Sequence, residues 1–200
     1  MPKKLKEKLK EKTKETPAKK AATKATGKTA KTSTKASGAA AGQDYALTEG
    51  MAAPAFRLLR DDGSHVSLKD FAGHHLVLYF YPRANTPGCT LEAADFTRLF
   101  PRFKALDTAI LGVSADSQAA LQRFRKKHDL AIALASDETL AMLKAYGVWG
   151  KKSFMGRTFD GILRTTVLID AKGRVVRIWR NVKVAGHAEA VLDAIREAFS

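Results

Sequence analysis

The run Leu76-Val77-Leu78-Tyr79-Phe80-Tyr81, stopped by Pro82, constrains this chain more than any other stretch. A continuous apolar and aromatic run of that length is the pattern of a buried strand. Pro82 ends it, and Pro87-Gly88 punctuates a tight loop. Beyond the loop, Leu91, Ala94, Phe96, Leu99 and Phe103 recur at helical spacing, so a helix begins at or near Cys89. The first turn of that helix therefore carries the only cysteine among 200 residues. A thiol there faces unpaired backbone N–H groups and the positive end of the helix dipole, and both favour the reactive thiolate. The competing reading is a small buried hydrophobe, the usual fate of a single cysteine. Packing Pro, Thr and Gly immediately before it argues for a mount that presents a nucleophile, since a core cysteine needs none of them.

The remaining elements follow from pattern. Ala55 to Leu59 and Val66 to Leu68 flank Asp61-Asp62-Gly63-Ser64 and read as a β-hairpin. The helix after Cys89 runs toward Leu106, with Pro101 expected to kink or divide it. Thr108 to Val113 is the next strand. Asp116-Ser117 are expected to cap a helix through about Lys127, with Ala120, Leu121 and Phe124 as its apolar stripe. Leu130 to Leu134 reads as a short strand, and Ser136-Asp137 as the start of a helix ending at Tyr146-Gly147. Residues 148–162 read as a loop in which Trp149, Phe154, Met155 and Phe159 are too many apolar groups to be idle. Arg164 to Ile169 and Val175 to Trp179 are strands joined by Asp170-Ala171-Lys172-Gly173. His187 to Phe199 closes the chain as a helix with Ala190, Val191, Ala194 and Phe199 inward. Strands alternating with helices in this order predict an α/β three-layer sandwich with a mixed central sheet. The pair His74-His75 suggests a metal ligand, but no third ligand stands at recognisable spacing, so no metal and no cofactor are expected.

Composition divides the chain in two. Residues 1–43 hold 13 Lys and 3 Glu, with no Arg and no aromatic residue, which is +10 of the formal +15. Such a segment cannot bury enough surface to offset its chain entropy and is expected to be a disordered basic tail. It either solubilises the chain or attracts DNA or another polyanion without sequence preference. Residues 44–200 are long enough for a core of their own. No stretch approaches the ~20 apolar residues of a membrane span, and the N-terminus lacks the apolar region of a secretory signal. The expectation is a soluble, cytoplasmic protein, with nucleoid association as the consequence if the tail binds DNA.

The run Pro82-x3-Thr86-x2-Cys89 resembles the active-site signature of peroxiredoxins, and its fuller form Tyr-Pro-x3-Thr-Pro-Gly-Cys-Thr-x-Glu-Ala is similar to the bacterioferritin-comigratory or Q-type subgroup. The likeness extends from about Gly50 to the C-terminus through Gly112-Val113-Ser114-x-Asp116-Ser117, Ser136-Asp137, Tyr146-Gly147-Val148-Trp149-Gly150, Arg164-Thr165-Thr166 and Leu168-Ile169-Asp170. It implies a thioredoxin-like fold and a peroxidase with Cys89 as nucleophile. Thr86 and backbone N–H groups would stand around the peroxide oxygens, and Pro82 would shield the sulfur. The family pattern also selects Arg164 as the guanidinium that holds the thiolate and polarises the O–O bond. Glu92, in the same first helical turn, suits site tuning or reductant recognition.

The sequence departs from many relatives at one point. They carry a second cysteine five residues after the first, where this chain has Ala94. A Cys89 sulfenic acid must then be resolved by an external thiol: thioredoxin, glutaredoxin or a low-molecular-weight thiol. A monomer is expected. The alternative is a nucleic-acid-associated redox protein whose tail binds DNA while its thiol domain senses or locally removes peroxide.

Overall fold

A computed structural model describes residues 47–154 and 156–199. The basic tail, the domain start near Tyr45, Met155 and the side chain of Phe154 lie outside the described residues. Among these residues there are nine strands and four α-helices, with a short 3-10 helix at Leu68–Phe71: β1 Arg57–Arg60, β2 His65–Ser67, β3 His75–Phe80, α1 Pro87–Ala105, β4 Thr108–Ser114, α2 Gln118–His128, β5 Ala133–Ser136, α3 Ala141–Ala145, β6 Trp149–Phe154, β7 Arg157–Ile162, β8 Thr165–Ile169, β9 Val175–Arg180 and α4 His187–Phe199. Seven strands form one sheet in the order β2-β1-β5-β4-β3-β8-β9, and β6 with β7 forms a separate two-stranded sheet. Pairs β3–β4 and β4–β5 are parallel and the rest of the large sheet is antiparallel, so the sheet is mixed. This is the expected three-layer α/β sandwich, with a thioredoxin-like fold.

Strand β3 lies near the middle of the large sheet because it has no polar face. Leu76, Leu78 and Phe80 enter one core with Leu58, Val113, Leu143 and Tyr146. Val77, Tyr79 and Tyr81 enter the other with Phe96, Phe103, Phe124 and Val191. Helices α1, α2 and α4 cover the second face. The period-2 alternation of a strand thus divides one apolar run between two layers. At the β1–β2 hairpin the Asp62 carboxylate accepts from the backbone N–H of Ser64 at 2.9 Å and from its hydroxyl at 2.6 Å.

Several expectations are corrected. Pro101 does not divide α1, which runs unbroken to Ala105. Proline removes a single N–H donor, while Phe96, Leu99 and Phe103 lie buried on either side of it. Asp116 does not cap α2; its carboxylate accepts from the backbone N–H of Ala84 at 2.8 Å and from Ser114 Oγ at 2.9 Å, tying down the loop ahead of α1. The strand expected at Leu130 starts at Ala133, because Leu130 is bonded back to Arg125 at the end of α2. Helix α3 is short: the Asp137 carboxylate accepts from Thr139 Oγ1 and from the N–H of Leu143, folding residues 137–140 as a turn. Residues 148–162 are no loop but the β6–β7 hairpin, turned at Gly156 (φ 75°). Residues 157–160 are exposed, so the hairpin lacks the apolar alternation that marks a core strand. On α4, Ala190 is exposed, and Ala188, Leu192 and Ile195 point inward with Val191 and Ala194. His74 and His75 part company: His74 Nδ1 meets Asp107 at 2.6 Å, while His75 stacks on Phe199 with centroids 3.7 Å apart. Among the described residues, no helix is long and apolar enough to cross a membrane.

Candidate active site

The site is assembled by sheet register. Strand β8 runs antiparallel to β3 with Phe80 opposite Thr165 and Tyr79 opposite Thr166. Arg164, one residue before β8, is thereby delivered to the end of β3 where Pro82 turns the chain toward α1. The half-buried Pro82 follows a tyrosine whose N–H donates to Val113, so the loop starts from a fixed point.

Helix α1 opens with Thr86 at its N-cap and Pro87 at its first position. The Thr86 hydroxyl does not cap the helix; it donates to the carbonyl of Arg83 at 2.9 Å. The first N–H groups of the helix, those of Gly88 and Cys89, are therefore left without a side-chain cap. Asn85 takes φ 60°, the left-handed conformation that asparagine tolerates, and its Oδ1 meets His128 Nε2 at 3.2 Å.

Two of the expected residues, Cys89 and Arg164, converge with Glu92. Arg164 Nη2 donates to Cys89 Sγ at 3.3 Å, and Nη1 pairs with Glu92 Oε2. Cys89 and Glu92 are each 1% exposed, while the Arg164 side chain keeps 16%. Burial pushes Glu92 up to about 7, and Arg164 opposes that rise by charge and by hydrogen bond. For Arg164 itself, burial lowers the pKa, but the charges of Glu92 and Cys89 outweigh it and the net shift is upward. Glycine at position 88 suits the contact, because a Cβ there would stand 3.4 Å from Arg164 Nη2. Thr86 and Pro82 stand on the loop between β3 and α1 that leads to Cys89. The arrangement puts a guanidinium donor on a sulfur carried in the first turn of a helix.

Two further residues lie within electrostatic reach of the site without having been singled out in the sequence. His187 Nε2 meets Thr166 Oγ1 at 2.8 Å, and burial together with Arg164 lowers its pKa to about 4, so its imidazole is neutral. Lys152 of β6 donates from Nζ to the carbonyl of Ile162 at 2.8 Å. Its place depends on the β6–β7 pairing, and no periodicity in the sequence announces that pairing.

Residues 50–178 match the AhpC/TSA family. The chain is 41% identical over 151 residues to peroxiredoxin Bcp of Escherichia coli (strain K12), covering 76% of this chain and 97% of that protein. To peroxiredoxin Bcp of Bacillus subtilis (strain 168) it is 42% identical over 148 residues, covering 74% and 94%. Among solved structures it resembles the bacterioferritin comigratory protein of Xanthomonas campestris, studied for alkyl peroxide reduction, with TM-score 0.69, 43% identity and coverage of 72% and 91%. A PrxQ mutant from Xylella fastidiosa gives TM-score 0.70 at 34% identity, covering 82% and 100%.

Proposed function

This chain belongs to the AhpC/TSA family, and on that premise we propose that it is a thiol-dependent peroxidase of the Bcp type that reduces hydrogen peroxide and organic hydroperoxides at Cys89. The observation that carries the assignment to Cys89 is the 3.3 Å bond from Arg164 Nη2 to its sulfur.

The Cys89 thiolate attacks one peroxide oxygen. An S–O bond forms, the O–O bond breaks, and the departing alkoxide or hydroxide takes up a proton. Sulfur is oxidised to the sulfenic acid and the peroxide is reduced to alcohol or water. Negative charge moves from sulfur to the leaving oxygen along this path. The Arg164 guanidinium and the N–H groups at the start of α1 face that path and stabilise the charge at both ends. The proton of the Thr86 hydroxyl is committed to Arg83, so its lone pairs accept from the peroxide O–H and set the oxygens in line. Pro82 shields the sulfur from bulk water, and Glu92 holds the other arm of the guanidinium.

No second cysteine exists in the sequence, so the sulfenic acid is returned to the thiolate by an external thiol. A cytoplasmic, monomeric enzyme served by thioredoxin, glutaredoxin or a small thiol fits that need, since cytosolic thiols are kept reduced. Intact-mass measurement after equimolar peroxide tests the reading. One oxygen atom should be added to the wild-type chain and none to Cys89→Ser, which should also lose thiol-dependent turnover. The same samples on non-reducing gels should show no disulfide-linked dimer. Turnover retained by Cys89→Ser would overturn the assignment.

A further inference from the structure

The chemistry above leaves Lys152 unused. It pairs with Phe159 across the β6–β7 hairpin, and Gly150 pairs with Gly161 two positions along. Residues paired across antiparallel strands, and those two further on, share a face. On this face the side chains of Lys152 and Phe159 lie over Gly161, and that of Leu163 over Gly150. A Cβ on Gly161 would stand 3.3 Å from Lys152 Cδ, so the lysine stem lies close over β7. The stem ends with Nζ on the carbonyl of Ile162, a buried residue two positions before Arg164. The ammonium is thus anchored on the segment that delivers the guanidinium to the sulfur. Burial lowers its pKa from 10.5, Arg164 lowers it further, and Cys89 raises it, as expected of a cation within electrostatic reach of both groups.

In the resting enzyme, Arg164 faces two acidic groups, the Cys89 thiolate and Glu92, and Lys152 lies within electrostatic reach of the first. Peroxide reduction removes one of these, because the charge on sulfur leaves with the departing oxygen and is quenched by a proton. The sulfenic acid is neutral, and the oxidised site carries one more net positive charge than the resting site. The next reactant is a thiol that must arrive as thiolate. Its sulfur attacks Cys89 Sγ, an S–S bond forms, the S–O bond breaks and hydroxide leaves as water after protonation. A second thiolate then releases Cys89 and the small disulfide.

We propose that Lys152 sets the reductant selectivity of the oxidised site, drawing in low-molecular-weight thiolates that carry additional negative charge. The proposal rests on Cys89 being the peroxide-reactive sulfur. It is tested on the full chain, oxidised with equimolar hydrogen peroxide and mixed rapidly with 3-mercaptopropionate, 2-mercaptoethanol or cysteamine. These thiols differ in charge and little in size. Rate constants for loss of the sulfenic acid, expressed per thiolate, should favour 3-mercaptopropionate over cysteamine on the order of 10-fold at low salt, and the preference should shrink as salt is raised. Lys152→Met, which keeps the stem and drops the charge, should cut that ratio several-fold, and Lys152→Arg should retain it. A wild-type chain without charge preference, or a Lys152→Met chain with the wild-type ratio, would overturn the proposal. If the wild-type chain formed no sulfenic acid at all, the Cys89 reading itself would fall, and this proposal with it.

Discussion

Glu92 and His187 titrate in opposite senses, and their effects on stability oppose one another. Glu92 rises from 4.5 to about 7 on folding, chiefly through burial. Between those values the folded chain binds more protons than the unfolded one. Its contribution to stability is therefore full below about pH 4.5 and is lost as pH rises through 7. His187 falls from 6.5 to about 4, again chiefly through burial. Here the unfolded chain binds more protons, so the contribution is full above pH 6.5 and is lost as pH falls toward 4. At that shift the histidine term amounts to about 3 kcal/mol. Across the shared window the two slopes cancel in part. Urea unfolding between pH 4.5 and 7 separates them. Glu92→Gln should lose stability on acidification more steeply than wild type, whereas His187→Gln should gain on it. Parallel stability profiles for the three chains would contradict both assignments.

Among elements, the β3–β4 pair is the least forgiving. Tyr79 stands opposite Gly112, its ring 4.9 Å from Phe96 and 5.5 Å from Tyr81 by centroid. A Cβ at position 112 would lie 2.5 Å from Tyr79 Cζ and Oη. Gly112→Ala should therefore cost about 1–3 kcal/mol through overpacking, read as a lower Tm. An unchanged Tm would show that the ring turns aside freely. What was legible in the sequence follows the same division between local and distant determinants. Strand β3 and helices α1 and α4 announced themselves because each is an unbroken apolar pattern that local geometry must bury. The extent of α3 and β5 was misjudged because side-chain bonds from Asp137 and Arg125 decide where the regular backbone begins. The β6–β7 hairpin stayed hidden because its polar strands have no core to alternate against. Arg164 reaches Cys89 through the register of two strands far apart in sequence. That register is invisible to periodicity, and only the family resemblance singled the arginine out. Position in the first helical turn suits Glu92 to site tuning or reductant recognition, but its burial against Arg164 is visible only once the helix is packed.

For the molecule as a whole, the layers that build the site also close it. Cys89 lies under the surface at 1% exposure, in the same core as Tyr79, Tyr81 and Phe96. At that burial a bulky electrophile or a protein disulfide partner cannot reach the sulfur directly, whereas a peroxide, only a few atoms in size, needs far less room. For large reagents the first turn of α1 must open first, and that turn has no side-chain cap, so its hold is the Arg164 contact with Cys89 and Glu92. The sulfur then behaves as though behind a turnstile. Labelling of the reduced chain by a bulky maleimide should climb with reagent concentration and level off at the opening rate, while oxidation by hydrogen peroxide should stay linear over the same range. A maleimide rate that never levels off would mean the sulfur is open to large molecules without any movement. If it does level off, the plateau is the fastest rate at which any protein-sized partner can be served, whatever its affinity.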